Sequence, residues 1–229
     1  MAREPSRWLA NRDAIERSAE SRRFVDNILG ELASRHFAPS AWGGFLFRSI
    51  VRSVAQIRIR PAAATEVTVL HLLASAGNRS WAFGSWVLCI THLGLLGERS
   101  TLGWPNRLTL LRALLPSLAP TSRWTSLVAL ATDFADGRLA RGGEESAFGA
   151  FADPIADGAY WSWYALRWEP NCLLRWVPIT LFAASIAGIS AAYFARGRSI
   201  DYPRQKSVRY ASAAGQILLA LRSLRSVAR

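Results

Sequence analysis

From residue 66 to the end, the chain consists of apolar segments separated by short polar ones. Inside a lipid bilayer the backbone must form helices or a closed barrel, because no water is present to satisfy its hydrogen-bonding groups. No strand alternation or hairpin turn competes here, so helices are expected. The five clearest segments are 107–120, 124–141, 148–168, 172–195 and 208–224. The sequence therefore predicts an all-α integral membrane bundle of about five to six transmembrane helices.

Two shorter apolar segments precede these five. Residues 66–76 are too few to cross a bilayer, and residues 81–97 lie at the lower limit for a hydrocarbon core about 30 Å thick. If residues 133–141, at the end of the segment 124–141, face the cytoplasm, a single crossing by 81–97 would place the basic N-terminal region outside the cell, against the positive-inside rule. We therefore expect residues 66–104 to form an apolar hairpin or an extra membrane helix, followed by a membrane domain over residues 105–229.

Residues 1–65 differ from the rest, with eleven arginines and six acidic residues. A surface helix is expected over residues 11–37, capped by Asn11 or Asp13. Its apolar face would carry Ile15, Phe24, Ile28 and Leu32. Residues 45–61 mix apolar side chains with arginines, which predicts a basic amphipathic segment in the headgroup plane or a helix packed on the protein itself. This region is expected at the cytoplasmic membrane surface.

The formal net charge of +12 raises the question of nucleic-acid binding. The arginines are scattered at the ends of segments, and no helix-turn-helix or Cys/His finger pattern is present. The cytoplasmic charge bias of membrane proteins and the attraction of anionic headgroups explain such a distribution better. We expect membrane lipid as a partner and no nucleic acid.

Four aspartates interrupt the apolar segments between residues 132 and 158. On a helix, Asp133 and Asp136 share one face with Gly137, Ala140 and Arg141, at spacings i, i+3, i+4, i+7 and i+8. Gly149, Asp153 and Asp157 share one face of the next helix, at i, i+4 and i+8. Because the linker between the two helices is short, they are expected to be antiparallel neighbours. The four carboxylates would then converge near a membrane boundary.

The negative charge of four carboxylates so near one another must be compensated, since one Asp at mid-bilayer already costs about 2.5–3.5 kcal/mol. A divalent cation removes the conflict, and oxygen ligands without His or Cys indicate Mg²⁺, Mn²⁺ or Ca²⁺. The small residues Gly137, Ala140 and Gly149 would leave space beside the metal, and Arg141 would offer a fork to phosphate. The pattern favours metal-assisted phosphoryl transfer. A proton or ion pathway remains an alternative use of intramembrane carboxylates.

The arrangement D-x2-D-G-x2-A-R-x7-G-x3-D-x3-D resembles the signature of the CDP-alcohol phosphatidyltransferases, which usually have eight residues between the Arg and the Gly. Upstream, PNRLTLLR (105–112) is similar to the PNxLTxxR that opens the first core helix of that family. The resemblance covers about residues 105–215. The stretch from Asn106 to Asp133 is short for the family and contains Pro116 and Pro120, and five core helices stand where the family commonly has six.

The resemblance implies roles for individual residues. Asp133, Asp136 and Asp153 would bind Mg²⁺ or Mn²⁺, with two ions expected, and Asp157 would face the same ions and act as the base. The residues matching those that contact the CDP headgroup are Asn106, Thr109, Gly137, Arg141 and Ser146.

The implied reaction is phospholipid biosynthesis at the cell membrane. An acceptor hydroxyl would attack the β-phosphate of CDP-diacylglycerol and CMP would leave. The resemblance leaves three alcohol acceptors as alternatives: glycerol 3-phosphate, an inositol phosphate and phosphatidylglycerol. Lys206 and Arg209 could hold an acceptor phosphate. The protein would be multi-pass with its active site facing the cytoplasm, and a homodimer stays open. A catalytically silent relative serving as a membrane scaffold is the main alternative.

Overall fold

The computed structural model describes residues 6–139, 146–198 and 206–225, without the side chains of 6–19 and 206–209. Within these ranges the chain is helical and contains no strand, which confirms the all-α class. The helices are α1 (Ser6–Ser34), α2 (Pro39–Ile59), α3 (Pro61–Ala74), α4 (Arg79–Thr91), α5 (Gly103–Leu118), α6 (Thr125–Leu139), α7 (Ala147–Trp168), α8 (Cys172–Arg196) and α9 (Lys206–Arg225). A short 3-10 turn, Leu93–Leu96, follows α4.

The centre of the molecule is the packing of α5 against both α6 and α7, with α8 along the other side of α7. Local signals set the start of two of these helices. The Ser146 side chain accepts a hydrogen bond from the backbone N–H of Gly149 at the start of α7, and the Asn171 side chain accepts one from Leu174 at the start of α8. Each cap satisfies a donor that the helix leaves unpaired.

In the region 66–104, α3 and α4 lie antiparallel and are held together by polar contacts. His71 Nε2 lies 2.9 Å from Ser85 Oγ, and the indole N–H of Trp86 donates to Thr68 Oγ1 at 3.1 Å. At the base of α3, Arg107 of α5 donates to both carboxylate oxygens of Glu66, at 3.2 and 3.0 Å. This helical pair is therefore tied to the first helix of the central group.

The N-terminal helix differs from the expectation. It begins at Ser6 and runs through Asn11 and Asp13, so the prediction that one of these two caps it is wrong. Ile28 and Leu32 are buried and Phe24 is partly buried. Ile15 lies outside the described side chains.

The polarity of α2 is inverted. Its buried residues include Ser53 and Gln56, whereas Phe47 and Ile50 are 67% and 61% exposed. The same inversion occurs on α6, where Thr132 and Asp136 are buried while Phe134 is exposed. Polar side chains inside and large apolar ones outside are the reverse of a water-soluble protein. Exposed apolar patches of this extent indicate contact with a membrane or another protein.

Within the described residues one helix, α8, is long and apolar enough to span a membrane. No residue of α8 is buried. The sixteen residues of α5 would extend roughly 24 Å, less than a hydrocarbon core of about 30 Å. The number of membrane-spanning helices therefore stays a prediction.

Candidate active site

Arg112 of α5 lies at the centre of the site. Its side chain is fully buried, and all four aspartates singled out in the sequence surround it. The guanidinium nitrogens lie 3.8 Å from Asp133 Oδ1, 3.0 Å from Asp136 Oδ2, 2.5 Å from Asp153 Oδ1 and 2.6 Å from Asp157 Oδ1. The structure thus brings the four carboxylates together, as the helix spacing indicated.

The aspartates differ in their access to the surroundings. Asp136 is buried and also accepts a hydrogen bond from the Thr109 hydroxyl at 3.2 Å. The side chain of Asp133 is 42% exposed, and those of Asp153 and Asp157 lie between these extremes. The cluster is therefore closed on the side of Thr109 and accessible on the side of Asp133.

Three of these residues meet the geometric requirement for a metal site. Asp133, Asp136 and Asp153 each offer a carboxylate oxygen, and these atoms lie within 4.8 Å of one another. Asp157 is not part of this three-residue group, so its role as a fourth ligand stays a prediction.

The charges and hydrogen bonds of the cluster also fit a divalent cation. Among the described residues of the cluster, one guanidinium faces four carboxylates. The buried Oδ1 of Asp157 lies 2.6 Å from Arg112 Nε, but among the described residues no donor is aligned to give it a hydrogen bond. A hard cation, which takes oxygen ligands, would complete the surroundings of this oxygen.

Of the residues expected to contact the headgroup, Thr109 contacts the cluster directly, and Asn106 lies one helical turn before it on α5. Asn106 Nδ2 donates to Ser146 Oγ at 3.1 Å, and Ser146 Oγ donates back to Asn106 Oδ1 at 3.2 Å. This pair joins the starts of α5 and α7. Gly137, partly buried, follows Asp136 directly on α6. Arg141 lies outside the described residues.

Gly149 has a different part from the one expected. A Cβ atom built at Gly149 would lie 2.8 Å from Asn106 Oδ1, closer than real Cβ atoms approach. Because glycine has no side chain, α5 and α7 can approach this closely at Gly149. The Asn106 amide occupies the space that the sequence had suggested would lie beside a metal ion.

Sequence reasoning missed Arg112 as a site residue, although it closes the PNRLTLLR segment. A signal was available. An arginine inside an apolar helix requires partners, and Arg112 follows Thr109 by three positions and Asn106 by six. What the sequence could not give is the angle at which α5 meets α6 and α7, which decides that one guanidinium contacts all four carboxylates.

A comparison with protein families agrees with this geometry. The family model described as CDP-alcohol phosphatidyltransferase matches residues 102–227, more than half of the chain. The chain belongs to this family. CDP-alcohol phosphatidyltransferases transfer a phospholipid headgroup from a CDP-alcohol, depend on metal in general and are typically integral to the membrane. No individual curated protein and no solved structure matches the chain.

The match includes α5 to α9 and all described residues of the aspartate cluster. The helices α1 to α4 lie before it. The family assignment therefore applies to the central group of helices and leaves the N-terminal part to be understood from its own contacts.

Proposed function

We propose that this CDP-alcohol phosphatidyltransferase transfers a phosphatidyl group from CDP-diacylglycerol to a polar alcohol and releases CMP. The observation that carries the proposal is the convergence of four aspartates from α6 and α7 around Arg112. Carboxylates gathered from two helices that both pack on α5 suit Mg²⁺ or Mn²⁺, because Mg²⁺ commonly takes one or two carboxylates together with substrate phosphates.

Asp133, Asp136 and Asp153 would hold the ions, with two ions expected. A bound divalent cation neutralises pyrophosphate charge and stabilises the leaving group. Asn106, Thr109, Gly137, Arg141 and Ser146 would contact the CDP headgroup. The hydrogen bonds between Ser146 and Asn106, which lies one helical turn before Thr109, support their part in this assignment.

Asp157 would act as the base. The acceptor hydroxyl oxygen forms a bond to the β-phosphorus, the bond from that phosphorus to the bridging oxygen breaks, and CMP leaves with the electron pair. The hydroxyl proton passes to the Asp157 carboxylate. Its position one helical turn beyond Asp153 lets it share the cluster while facing an incoming hydroxyl.

The membrane placement is part of the proposal. The exposed apolar faces of α2, α6 and α8 support a multi-pass protein of the cell membrane, with the aspartate cluster facing the cytoplasm. Residues 1–65 would form its basic amphipathic region at the cytoplasmic surface, residues 66–104 an apolar hairpin and residues 105–229 the transferase domain. Formation of a homodimer stays a prediction. The side chains of Lys206 and Arg209, which were expected to hold an acceptor phosphate, lie outside those described.

A catalytically silent relative acting as a scaffold is the second candidate. The observation that favours a scaffold is the position of Arg112, because its guanidinium occupies the centre of the carboxylate cluster, where a catalytic metal ion would be expected.

One assay separates the two functions. The purified chain in lipid nanodiscs is given CDP-diacylglycerol, Mg²⁺ and, in turn, glycerol 3-phosphate, an inositol phosphate or phosphatidylglycerol, and CMP release is measured. We expect release with at least one acceptor and none with Asp136→Asn. A folded wild-type protein that releases no CMP with any acceptor would support the scaffold instead.

A further inference from the structure

An apolar groove of about 300 Å³ lies between α4, α5 and α7. Along α7 it extends from Phe148 to Ala159, roughly 16 Å at the rise of an α-helix. Its walls include Gly84 and Leu88 of α4, Ala113 of α5 and Phe151 of α7. None of the described residues that line it is charged.

The groove borders the aspartate cluster. Thr109 lines the groove and donates its hydroxyl hydrogen to Asp136 at 3.2 Å. On α7, Ala152 and Ala156 line the groove, while the next residue after each is an aspartate that contacts Arg112. The groove is therefore almost entirely apolar. Hydroxyl groups of Ser80 and Ser85 on α4 and of Thr109 on α5 also line it, and of these Thr109 contacts the cluster.

That polarity matches one kind of ligand, an amphiphile whose phosphate end sits at the carboxylates and whose chain runs along α7. The volume is at the low end of the range for ligand pockets, which suits a single acyl chain better than a nucleotide headgroup. A second apolar groove, lined by Ile57, Thr68 and Ile90, includes none of the cluster residues. This second groove therefore has no polar side next to the carboxylates.

We propose that the groove between α4, α5 and α7 holds one acyl chain of the CDP-diacylglycerol donor. This inference rests on the proposed function, because it places one part of the proposed substrate. The wall formed by α4 lies outside the matched residues 102–227. The N-terminal part of this chain would thus determine which donor chains the transferase accepts.

Gly84 offers a way to block the groove. A Cβ at Gly84 would meet nothing within 4 Å, so a leucine there has room to enter the groove without a clash at its first atom. Gly188 of α8 is a matched control, since it is also a helical glycine with nothing within 4 Å, and it does not line the groove.

The first test compares dioleoyl and dihexanoyl CDP-diacylglycerol as donors in CMP release. In Gly84→Leu, the ratio of kcat/KM for the long donor to that for the short donor should fall about tenfold or more, mainly through KM. Gly188→Leu should keep the wild-type ratio. The proposal is overturned if both variants keep that ratio or if both lower it equally.

The second test needs no turnover and so separates this proposal from the proposed function. Wild-type protein in nanodiscs receives CDP-diacylglycerol with a photoactivatable group on the acyl chain, Mg²⁺ and no acceptor. We expect labelling of α4 and α7 peptides that excess unlabelled CDP-diacylglycerol removes and phosphatidylcholine does not. Equal labelling by a phosphatidylcholine probe would identify a site for bulk lipid and overturn the proposal. Specific labelling without any CMP release would support the groove while rejecting the transferase.

Discussion

At the scale of single residues, Arg112 and Asp157 have separable parts in the site. Arg112 supplies the one described positive charge inside the carboxylate cluster, whereas Asp157 is placed to receive a proton. Asp157 can be tested by the isosteric change to asparagine, and Arg112 by a change to glutamine that removes its charge.

Asp157→Asn should leave metal-dependent binding of CDP-diacylglycerol largely intact and slow CMP release in a single turnover by about 10²–10⁴, the usual effect of losing a general base. Asp133→Asn should weaken binding as well, because Asp133 belongs to the group of three potential ligands. The two variants are compared by donor binding and by single-turnover CMP release. Equal loss of binding in both would show that Asp157 is chiefly a metal ligand and not the base.

Arg112→Gln should destabilise the protein strongly in EDTA, because removing one partner of a buried ion pair commonly costs about 3–5 kcal/mol. Mg²⁺ should raise the melting temperature of this variant more than that of the wild type, since the cation replaces part of the missing charge. Arg35→Gln is the control, because Arg35 is exposed and its surface ion pair with Glu31 is of the kind that contributes only about 0–1 kcal/mol. A melting temperature of Arg112→Gln that does not respond to Mg²⁺ would contradict this account of the charge balance.

At the scale of helices, the sequence predicted the central elements well and their mutual packing poorly. The expected segments 148–168 and 172–195 correspond closely to α7 and α8, because strong local signals fix them. Those signals are the caps Ser146 and Asn171 and continuous apolar composition. The start of α1 at Ser6 was missed because Asn11 and Asp13 are good caps that the helix does not use.

The same limit applies to the site. Helix periodicity places Asp153 and Asp157 on one face, so part of the carboxylate cluster was predictable. The expected direct packing of α6 on α7 is not what joins the two halves, because both helices pack mainly on α5. The insertion of Arg112 between the carboxylates and the contact of Gly149 with Asn106 depend on distances between helices. No pattern within a single segment contains that information.

The contact between α7 and α9 gives a prediction about pH. Arg222 donates to both carboxylate oxygens of Glu169, each at 3.0 Å, and these hydrogen bonds lower the pKa of Glu169 in the folded protein. Stabilisation by a carboxylate with a lowered pKa is present above its ordinary pKa and is lost as the pH falls through the lowered value. The melting temperature of Glu169→Gln should therefore lie below that of the wild type at pH ~7 and approach it at pH ~3.

Glu20→Gln is the control for this measurement, since Glu20 is exposed and its ion pair with Arg52 is long, at 3.8 Å. Its melting temperature should follow the wild type throughout. If the difference in melting temperature between Glu169→Gln and the wild type increased as the pH falls, the lowered pKa of Glu169 would be contradicted.

At the scale of the whole molecule, the N-terminal helices and the transferase helices form connected layers. Glu66 of α3 is paired with Arg107, next to Asn106 of the site, and α4 forms a wall of the groove beside Thr109. On the outside, apolar side chains of α2, α6 and α8 are exposed, and a surrounding bilayer would remove the cost of that exposure. The molecule thus combines a charged cluster, buried beside an apolar core, with exposed apolar helix faces, which suits chemistry on a charged headgroup at the edge of a membrane.

The central claim is that the aspartate cluster performs phosphatidyl transfer with a divalent cation. The most direct test is CMP release from CDP-diacylglycerol by the wild type and by Asp136→Asn during a titration with Mg²⁺ after treatment with EDTA. The account predicts no release in EDTA, full recovery of the wild type on addition of Mg²⁺, and a higher Mg²⁺ requirement or no recovery for Asp136→Asn. Full turnover of the wild type in EDTA would contradict it.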